Sequence, residues 1–198
     1  MKKDWRGNAT SVWKMLAASN HAEVEREKRD FYATDPMAVA MLSEKFTIPK
    51  NIVEVSAGEG HLSEMLKQLG HSVLSYDIVQ RNYPLDKVCD FFTIQELPKG
   101  YSVLTNPPYA MAKEFVEHAL NLIDEGEYVI MFLKTTFLES KGRKSLFEKF
   151  PPKYVYVHSE RIICAKNAEF ENVSGSAVSY SWFIWQKGSK TEPIIRWL

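Results

Sequence analysis

The four residues from Asn106 to Tyr109 carry the most specific chemistry in this sequence of 198 residues. They follow an apolar run typical of a buried strand and precede a helical pattern. The side-chain oxygen of Asn106 and the carbonyl of Pro107 can each accept a hydrogen bond from one planar amino group. Two such acceptors favour a tetrahedral nitrogen, which makes its lone pair available to an incoming methyl group. Pro107 and Pro108 lack backbone donors, and Tyr109 can stack on an aromatic base.

A second group of residues is the glycine-containing segment from Glu54 to Gly60, which follows the first predicted buried strand. Gly58 and Gly60 allow the backbone to pass close beneath a ligand, and the helix start that follows supplies N–H groups. The dinucleotide-binding fingerprint GxGxxG is incomplete because Ser63 occupies the third glycine position. The segment is therefore less suited to a cofactor with a pyrophosphate.

Acidic residues follow the second and third predicted strands. Asp77 is the expected acceptor for the two ribose hydroxyls of a nucleoside cofactor, although a solvated carboxylate is the alternative. Asp90 offers an acceptor for an adenine amino group, and the adjacent Phe91 and Phe92 offer an aromatic wall. Burial in the core is the simpler interpretation of the two phenylalanines.

These residues need a framework that brings the ends of several strands to one edge. Periodicity predicts strands at 51–55, 72–78, 87–91, 101–105 and 128–133, alternating with helices at 35–46, 61–69, 111–123 and 139–150. Such alternation predicts a doubly wound α/β fold with a mostly parallel sheet and helices on both faces. Two later strands, 154–158 and 179–186, are expected to pair antiparallel. In this architecture ligands bind at the carboxyl edge of the sheet.

Composition limits the classes of function. Lys plus Arg and Asp plus Glu number 25 each, so the formal net charge is zero and any basic surface must be local. Cys89 and Cys164 form no metal-binding motif, and the histidines lack ligand-spaced partners, so no metal is expected. The histidines are expected on the surface or on helix faces. No apolar stretch has membrane length, and we expect a cytoplasmic protein in a bacterial or phage-infected cell.

The chain is long enough for one catalytic domain. Residues 1–30 are charge-rich and are predicted to form a partly helical N-terminal arm. Residues 31–198 are predicted to form the catalytic domain.

The ordered motifs resemble those of the S-adenosylmethionine-dependent amino methyltransferases, in particular the N6-adenine DNA methyltransferases. The glycine segment, Asp77, Asp90-Phe91 and the NPPY sequence follow four successive strands in the order of that family. The segment 31–36, FYATDP, resembles the additional cofactor motif that the γ-type order places before the glycine segment. More narrowly, the chain resembles small stand-alone enzymes of phages and prophages.

This resemblance implies a single-domain, Rossmann-like class I methyltransferase with a seven-stranded sheet and S-adenosylmethionine as cofactor. It implies that Tyr32 and Thr34 contact the methionine part of the cofactor. The predicted cofactor-binding residues are Tyr32, Thr34, Glu54, Ser56, Ala57, Gly58, Gly60, Asp77, Ile78, Asp90, Phe91 and Asn106. The predicted catalytic residues are Asn106, Pro107, Pro108 and Tyr109.

The sequence departs from the family at two places. Val55 stands where the glycine motif usually has proline, and no long insertion follows Tyr109 that could form a target-recognition domain. A dimer or a separate specificity subunit would each supply recognition. The predicted substrate contacts are Tyr109, Lys141, Arg143 and Lys144, together with the polar loop 166–176. For the cationic cluster, a solvated helix face is the alternative.

The predicted function is methylation of an exocyclic amino nitrogen, with adenine N6 in DNA as the favoured target. RNA bases and a protein glutamine amide present the same planar amino group and are alternatives. The protein-directed enzymes normally carry a helical substrate domain, which the short arm before Phe31 scarcely supplies. A noncatalytic phage protein that binds a partner is disfavoured by the intact Asn106 and Asp77. A nicotinamide-dependent oxidoreductase is disfavoured by Ser63.

Overall fold

The computed structural model describes residues 32–160, 162, 164–166 and 178–198. The strands are β1 (Tyr32–Thr34), β2 (Asn51–Glu54), β3 (Ser72–Asp77), β4 (Lys87–Val88), β5 (Ser102–Thr105), β6 (Tyr128–Lys134), β7 (Tyr154–Val157), β8 (Cys164–Lys166), β9 (Tyr180–Gln186) and β10 (Ile194–Trp197). The helices are α1 (Met37–Lys45), α2 (His61–Gln68), α3 (Ala112–Leu122) and α4 (Lys144–Lys149). The predicted N-terminal arm and nearly all of the predicted polar loop 166–176 lie outside the described residues.

The main sheet has the strand order β10-β7-β9-β6-β5-β2-β3-β4. Every neighbouring pair is parallel except the two pairs that β9 makes with β6 and β7. The prediction of a mostly parallel sheet with a C-terminal antiparallel strand is therefore confirmed. Strands β1 and β8 form a separate antiparallel pair, in which Thr34 lies opposite Cys164.

The sheet has eight strands, so the prediction of seven was wrong. The additional strand is β10, which pairs parallel with β7 at the outer edge. All four of its residues are exposed, and the strand begins directly after Pro193. It therefore lacks the alternation of buried and exposed positions by which a strand is predicted from sequence.

The predicted helix 139–150 is correct only in its second half. Two short 3-10 turns, Thr135–Leu138 and Lys141–Arg143, precede α4. Ser140 interrupts the helical pattern because its φ is 138° and its hydroxyl accepts a hydrogen bond from the backbone N–H of Gly142 at 3.2 Å. The α-helical part therefore has only six residues.

The core has two parts, one on each face of the sheet. Helices α3 and α4 pack on one face, and α1 and α2 pack on the other. Within β6, Val129 and Met131 face the first part, whereas Ile130 and Phe132 face the second. This alternation follows from the two-residue period of a strand and confirms the predicted helices on both faces.

One histidine departs from the expected surface location. His158 follows β7 and is only 6% exposed, with its ring 5.7 Å from that of Phe132. Within the described part of the chain, neither ring nitrogen has a hydrogen-bond partner. Burial lowers the pKa of His158 to about 4, so the imidazole is neutral at physiological pH.

None of the helices in the described ranges combines the length and the apolar character that a membrane span requires.

The parallel strands β2, β3, β5 and β6 all end at one edge of the sheet. The antiparallel strand β9 begins at this same edge, since its first residue, Tyr180, lies opposite Lys134. The edge therefore gathers Glu54, Asp77, Asn106 and Lys134 from separate parts of the sequence.

Candidate active site

The side chain of Asn106 is anchored to the N-terminal strand. Asn106 follows β5, and its amide nitrogen donates a hydrogen bond to Oγ1 of Thr34 at 2.7 Å. Thr34 ends β1 and is only 3% exposed. The structure thus brings together the NPPY sequence and the segment that resembles the additional cofactor motif, although they lie 72 residues apart.

A serine joins the NPPY sequence to the glycine segment. The hydroxyl of Ser56 lies 2.7 Å from that of Thr105 and donates to the backbone carbonyl of Asn106 at 3.2 Å. Because β2 and β5 are adjacent parallel strands, the loops that follow them are neighbours. This contact fixes the start of one loop against the other.

The carboxylate of Asp77 lies against the glycine segment. Its Oδ2 accepts the backbone N–H of Gly58 at 2.8 Å, and its Oδ1 accepts that of Val79 at 2.9 Å. Arg81 lies 3.8 Å from Oδ1. Each carboxylate oxygen has a further lone pair, so these bonds leave capacity for hydroxyl donors from a ligand. The segment is also tied to β3 through Ala57, whose N–H donates to the carbonyl of Tyr76 at 2.9 Å.

A buried polar network begins at Glu54, the first residue of the glycine segment. Glu54, at the end of β2, is 2% exposed and accepts a hydrogen bond from the hydroxyl of Ser63. Ser63 in turn lies 2.6 Å from the hydroxyl of Ser75 on β3. Burial raises the pKa of Glu54 to about 8, and the charge of Asp77 acts in the same direction. Glu54 thus links the start of the segment to α2 and β3, and its predicted contact with a cofactor stays a prediction.

The ring of Tyr83 packs against Gly60. Tyr83 is 8% exposed, and its hydroxyl donates to Glu64 at 2.7 Å and accepts from Lys67 at 2.8 Å. A Cβ atom at Gly60 would lie 2.3–2.5 Å from three carbons of this ring, and Gly60 has a φ of 78°. The turn therefore needs glycine for both its conformation and the space that Tyr83 occupies.

Replacement of Gly60 by alanine is expected to lower the free energy of unfolding by about 2–4 kcal/mol, because overpacking adds to backbone strain. Gly70→Ala is the matched control, since Gly70 has a φ of 88° but nothing within 4 Å of its Cβ position. That control should cost about 1 kcal/mol. Urea unfolding measures both, and equal losses in the two variants would show that Tyr83 does not constrain the loop.

At the third strand end, β4 ends at Val88 and a 3-10 turn follows Asp90. The carboxylate of Asp90 is exposed and accepts the backbone N–H of Phe92 at 3.0 Å, which caps the 3-10 turn Phe91–Thr93. Phe91 is 3% exposed and packs on Phe115, with the ring centroids 5.0 Å apart. The structure therefore places Phe91 in the core, as the simpler interpretation had it.

The remaining predicted site residues are close in sequence to Asp77, Asn106 or Thr34. Ile78 follows Asp77 and is 55% exposed. Pro107 is buried, and the carbonyl of Pro108 accepts the N–H of Met111 at 2.9 Å. Tyr32 lies on β1, where its backbone is opposite Lys166.

Tyr109 has aromatic and cationic neighbours that were not predicted from the sequence. Its ring centroid lies 6.0 Å from that of Tyr180 and 5.1 Å from Nζ of Lys134. Tyr180 stacks in turn on Phe132 at 5.2 Å. In the described ranges Lys134 has no acidic partner within ion-pair distance. The sequence signal for Lys134 was only its position as a charged residue directly after the predicted strand 128–133, which does not indicate Tyr109 as its neighbour.

Arg143 and Lys144, two of the cationic residues predicted to bind substrate, contact residues that are nearby in the sequence. The guanidinium of Arg143 donates to the backbone carbonyls of Thr136, Phe137 and Glu139, which holds the two 3-10 turns together. Lys144 pairs with Glu148 at 3.5 Å, and both side chains are exposed. Lys141 and Lys144 line an open groove of about 470 Å³ with Leu138 and Phe147. The structure thus gives Arg143 a structural role, and substrate binding by this cluster stays a prediction.

Among the residues whose placement is described, no three His, Cys, Asp or Glu side chains form a group that could hold a metal ion.

Similarity to solved structures shows which fold this chain has, whereas its sequence matches no known family. No curated protein matches the sequence either. A protein from Pyrococcus horikoshii assigned as an RNA methyltransferase is similar in structure, with a TM-score of 0.57, 14% identity and coverage of 89% of this chain and 98% of that one. A protein from Listeria monocytogenes assigned as a class I S-adenosylmethionine-dependent methyltransferase has a TM-score of 0.55 and 12% identity, with coverage of 95% and 71%.

A protein from Lactococcus lactis assigned as a hemolysin is similar to nearly the same degree. Its TM-score is 0.54 at 12% identity, with coverage of 88% of this chain and 93% of that one. The chain therefore shares the fold of class I methyltransferases. Because proteins with different assignments share this fold, activity must be argued from the site.

Proposed function

We propose that this protein is an S-adenosylmethionine-dependent methyltransferase that acts on adenine N6 in DNA. The observation that carries the proposal is the position of Asn106, at the carboxyl end of β5, with its amide bonded to Thr34 and its backbone bonded to the glycine segment through Ser56. These contacts support a site in which two hydrogen-bond acceptors, the Asn106 side chain and the Pro107 carbonyl, would serve next to a loop suited to a nucleoside.

The residues around the glycine segment fit the proposed cofactor. Asp77 is buried and already bonded to Gly58, so its carboxylate is fixed where a ribose diol above the loop could donate to it. Asp90 is exposed at the next strand end and could accept from an adenine amino group. When bound, the cofactor supplies a methyl group on a positively charged sulfur.

The residues of the chain act on the amino nitrogen. The Asn106 oxygen and the Pro107 carbonyl would accept its two hydrogens and hold the nitrogen in tetrahedral geometry. The lone pair of a nitrogen held in this way would be available to accept the methyl group that the cofactor supplies, with the sulfur keeping the electron pair of its bond to that group. One proton leaves the nitrogen for water, which restores the neutral amine. This chemistry needs no strong base.

The surroundings of Tyr109 favour a nucleic acid over a protein substrate. The rings of Tyr109 and Tyr180 offer surfaces on which a base can stack, and Lys134 places a cation beside them. A phosphodiester carries a negative charge near every base, whereas a glutamine side chain carries none. RNA is the second candidate, because the Pyrococcus protein assigned as an RNA methyltransferase shares the fold over 98% of its length.

Transfer of a labelled methyl group tests the proposal. The full chain should be incubated with unmethylated duplex DNA, single-stranded DNA, RNA and protein, and the products digested to nucleosides or amino acids. We expect N6-methyladenine from DNA. If only RNA or only protein is labelled, the proposed substrate is wrong. If none of the four is labelled, the proposed methyltransferase activity is wrong.

Replacement of Lys134 by methionine should raise the KM for a DNA oligonucleotide several-fold at low salt, with little change in kcat. The dependence of log KM on log salt should become shallower by about one, since a single phosphate contact is lost. Lys190→Met is the control, because this exposed lysine follows β9 at the opposite edge of the sheet. If both variants show the same salt dependence as the wild type, Lys134 does not contact the nucleic acid.

A further inference from the structure

We propose that Thr34 is a positioning residue that determines which end of the Asn106 amide faces the substrate. The inference rests on the proposed function, in which Asn106 must accept a hydrogen bond. It concerns the 2.7 Å bond from the amide nitrogen of Asn106 to the hydroxyl of Thr34.

The orientation of this amide decides whether the site can work. The two ends of an asparagine amide have nearly the same shape, but the oxygen accepts and the nitrogen only donates. An amino group that approaches the oxygen makes a hydrogen bond, whereas one that approaches the nitrogen meets two donors. Rotation of the amide by 180° would therefore remove one of the two acceptors.

The geometry around Thr34 favours a single orientation. Thr34 is 3% exposed and lies on β1, which is paired with β8. Because threonine is branched at Cβ, its χ1 angle is restricted, and the hydroxyl stays in place. An amide nitrogen that is partly shielded from solvent and lacks an acceptor is costly, so the nitrogen remains directed at Thr34. The amide oxygen then lies in the same plane at the opposite end of the group, directed away from Thr34.

The competing arrangement is a hydrogen bond in the reverse sense. A hydroxyl can also donate, and a rotated amide would accept from Thr34 through its oxygen. The two arrangements differ in whether the side-chain NH2 of Asn106 is bonded inside the protein. An experiment on the free protein can distinguish them, independently of any activity.

The first test is the exchange of the side-chain NH2 protons of Asn106, followed by NMR in the wild type, Thr34→Val and Thr34→Ser. The signal is assigned by its absence in Asn106→Asp. We expect slow exchange in the wild type and in Thr34→Ser, and at least tenfold faster exchange in Thr34→Val. Equal exchange in the wild type and Thr34→Val would overturn the proposed bond.

The second test is kinetic and uses a double-mutant cycle. Thr34→Val should lower kcat about tenfold, the factor that one hydrogen bond typically supplies, and Thr34→Ser should restore most of it. In the Asn106→Asp background, Thr34→Val should have less than a threefold effect, because a carboxylate has two equivalent acceptor oxygens and no orientation to be set. The Kd for S-adenosylmethionine, measured by calorimetry on the same variants, separates this effect on kcat from the cofactor contact that the resemblance implies for Thr34.

The outcomes separate this inference from the proposed function. An equal loss of kcat in the wild-type and Asn106→Asp backgrounds would show a merely structural role for Thr34. A weakened Kd with unchanged kcat would show that Thr34 is a cofactor contact instead. Either result leaves the activity of the wild type intact, whereas an inactive wild type overturns the proposed function without changing the exchange result.

Discussion

Asn106→Ala is expected to lower the rate of methyl transfer by about 10²–10³-fold, the loss typical when one preorganised polar group at a reacting centre is removed. The variant lacks the side-chain acceptor but keeps the Pro107 carbonyl and the backbone contact to Ser56. The Kd for S-adenosylmethionine should change far less than kcat. Single-turnover transfer of labelled methyl to DNA, with calorimetry on the same samples, measures both.

Asn51→Ala provides the matched control for this substitution. Asn51 begins β2 at the opposite edge of the sheet, where its amide donates to the carbonyl of Gly100 at 3.4 Å. This variant should keep its rate within about threefold, as expected for a change away from the reacting centre. If Asn106→Ala is no slower than Asn51→Ala, the asparagine takes no part in the reaction.

Glu54→Gln is expected to produce the largest change in stability. Burial raises the pKa of Glu54 to about 8, so the folded chain binds a proton that the unfolded chain releases above pH 4.5. Stability is therefore lost as the pH rises from about 4.5 to 8. The full loss above pH 8 is at most about 4–5 kcal/mol, at about 1.4 kcal/mol per pH unit. Glutamine has no proton to lose and still accepts from Ser63, so the variant should escape this loss.

The measurement is urea unfolding of the wild type and Glu54→Gln at pH 5 and pH 9, without cofactor. The two proteins should be nearly equal at pH 5, and the variant should be more stable at pH 9. The difference between them is the readout, because His158 contributes an opposite trend as the pH falls from about 6.5 to 4. Glu44→Gln, an exposed position on α1, serves as the control. A difference that does not grow with pH would contradict the raised pKa.

The sequence predicted the strands that support the site because their signals are local. Strand β2 is a short apolar run before two glycines, and β3 ends in Asp77. Strands of this kind are bounded by residues that cannot continue them, so both their type and their ends can be predicted. The expectation that Asp77 and the glycine segment belong together is matched by the bond from Gly58 to Asp77.

Features that depend on particular side-chain contacts or on strand pairing were not predictable. The helix expected at 139–150 is broken at Ser140, and the guanidinium of Arg143 bonds to backbone carbonyls of the residues just before it. These contacts give Arg143 a structural role, and its predicted contact with a substrate stays a prediction. Strand β10 exists because β7 provides its hydrogen-bonding partner. Such pairings become visible only once the chain is folded.

The candidate site shows the same limit. The resemblance indicated that the segment around Thr34 and the NPPY sequence serve one site, but not that their side chains touch. The position of Lys134 beside Tyr109 requires the order of strands β5, β6 and β9, which periodicity does not give.

The place of β9 in the sheet has a consequence for biosynthesis. This strand lies between β6 and β7, yet it follows both in the chain and ends at Gln186. During translation the ribosome must release the chain as far as Gln186 before the centre of the sheet can close. Until then, the apolar margins of β6 and β7 stay open to other nascent chains. Premature termination upstream of Tyr180 should therefore yield aggregates and not a smaller folded protein.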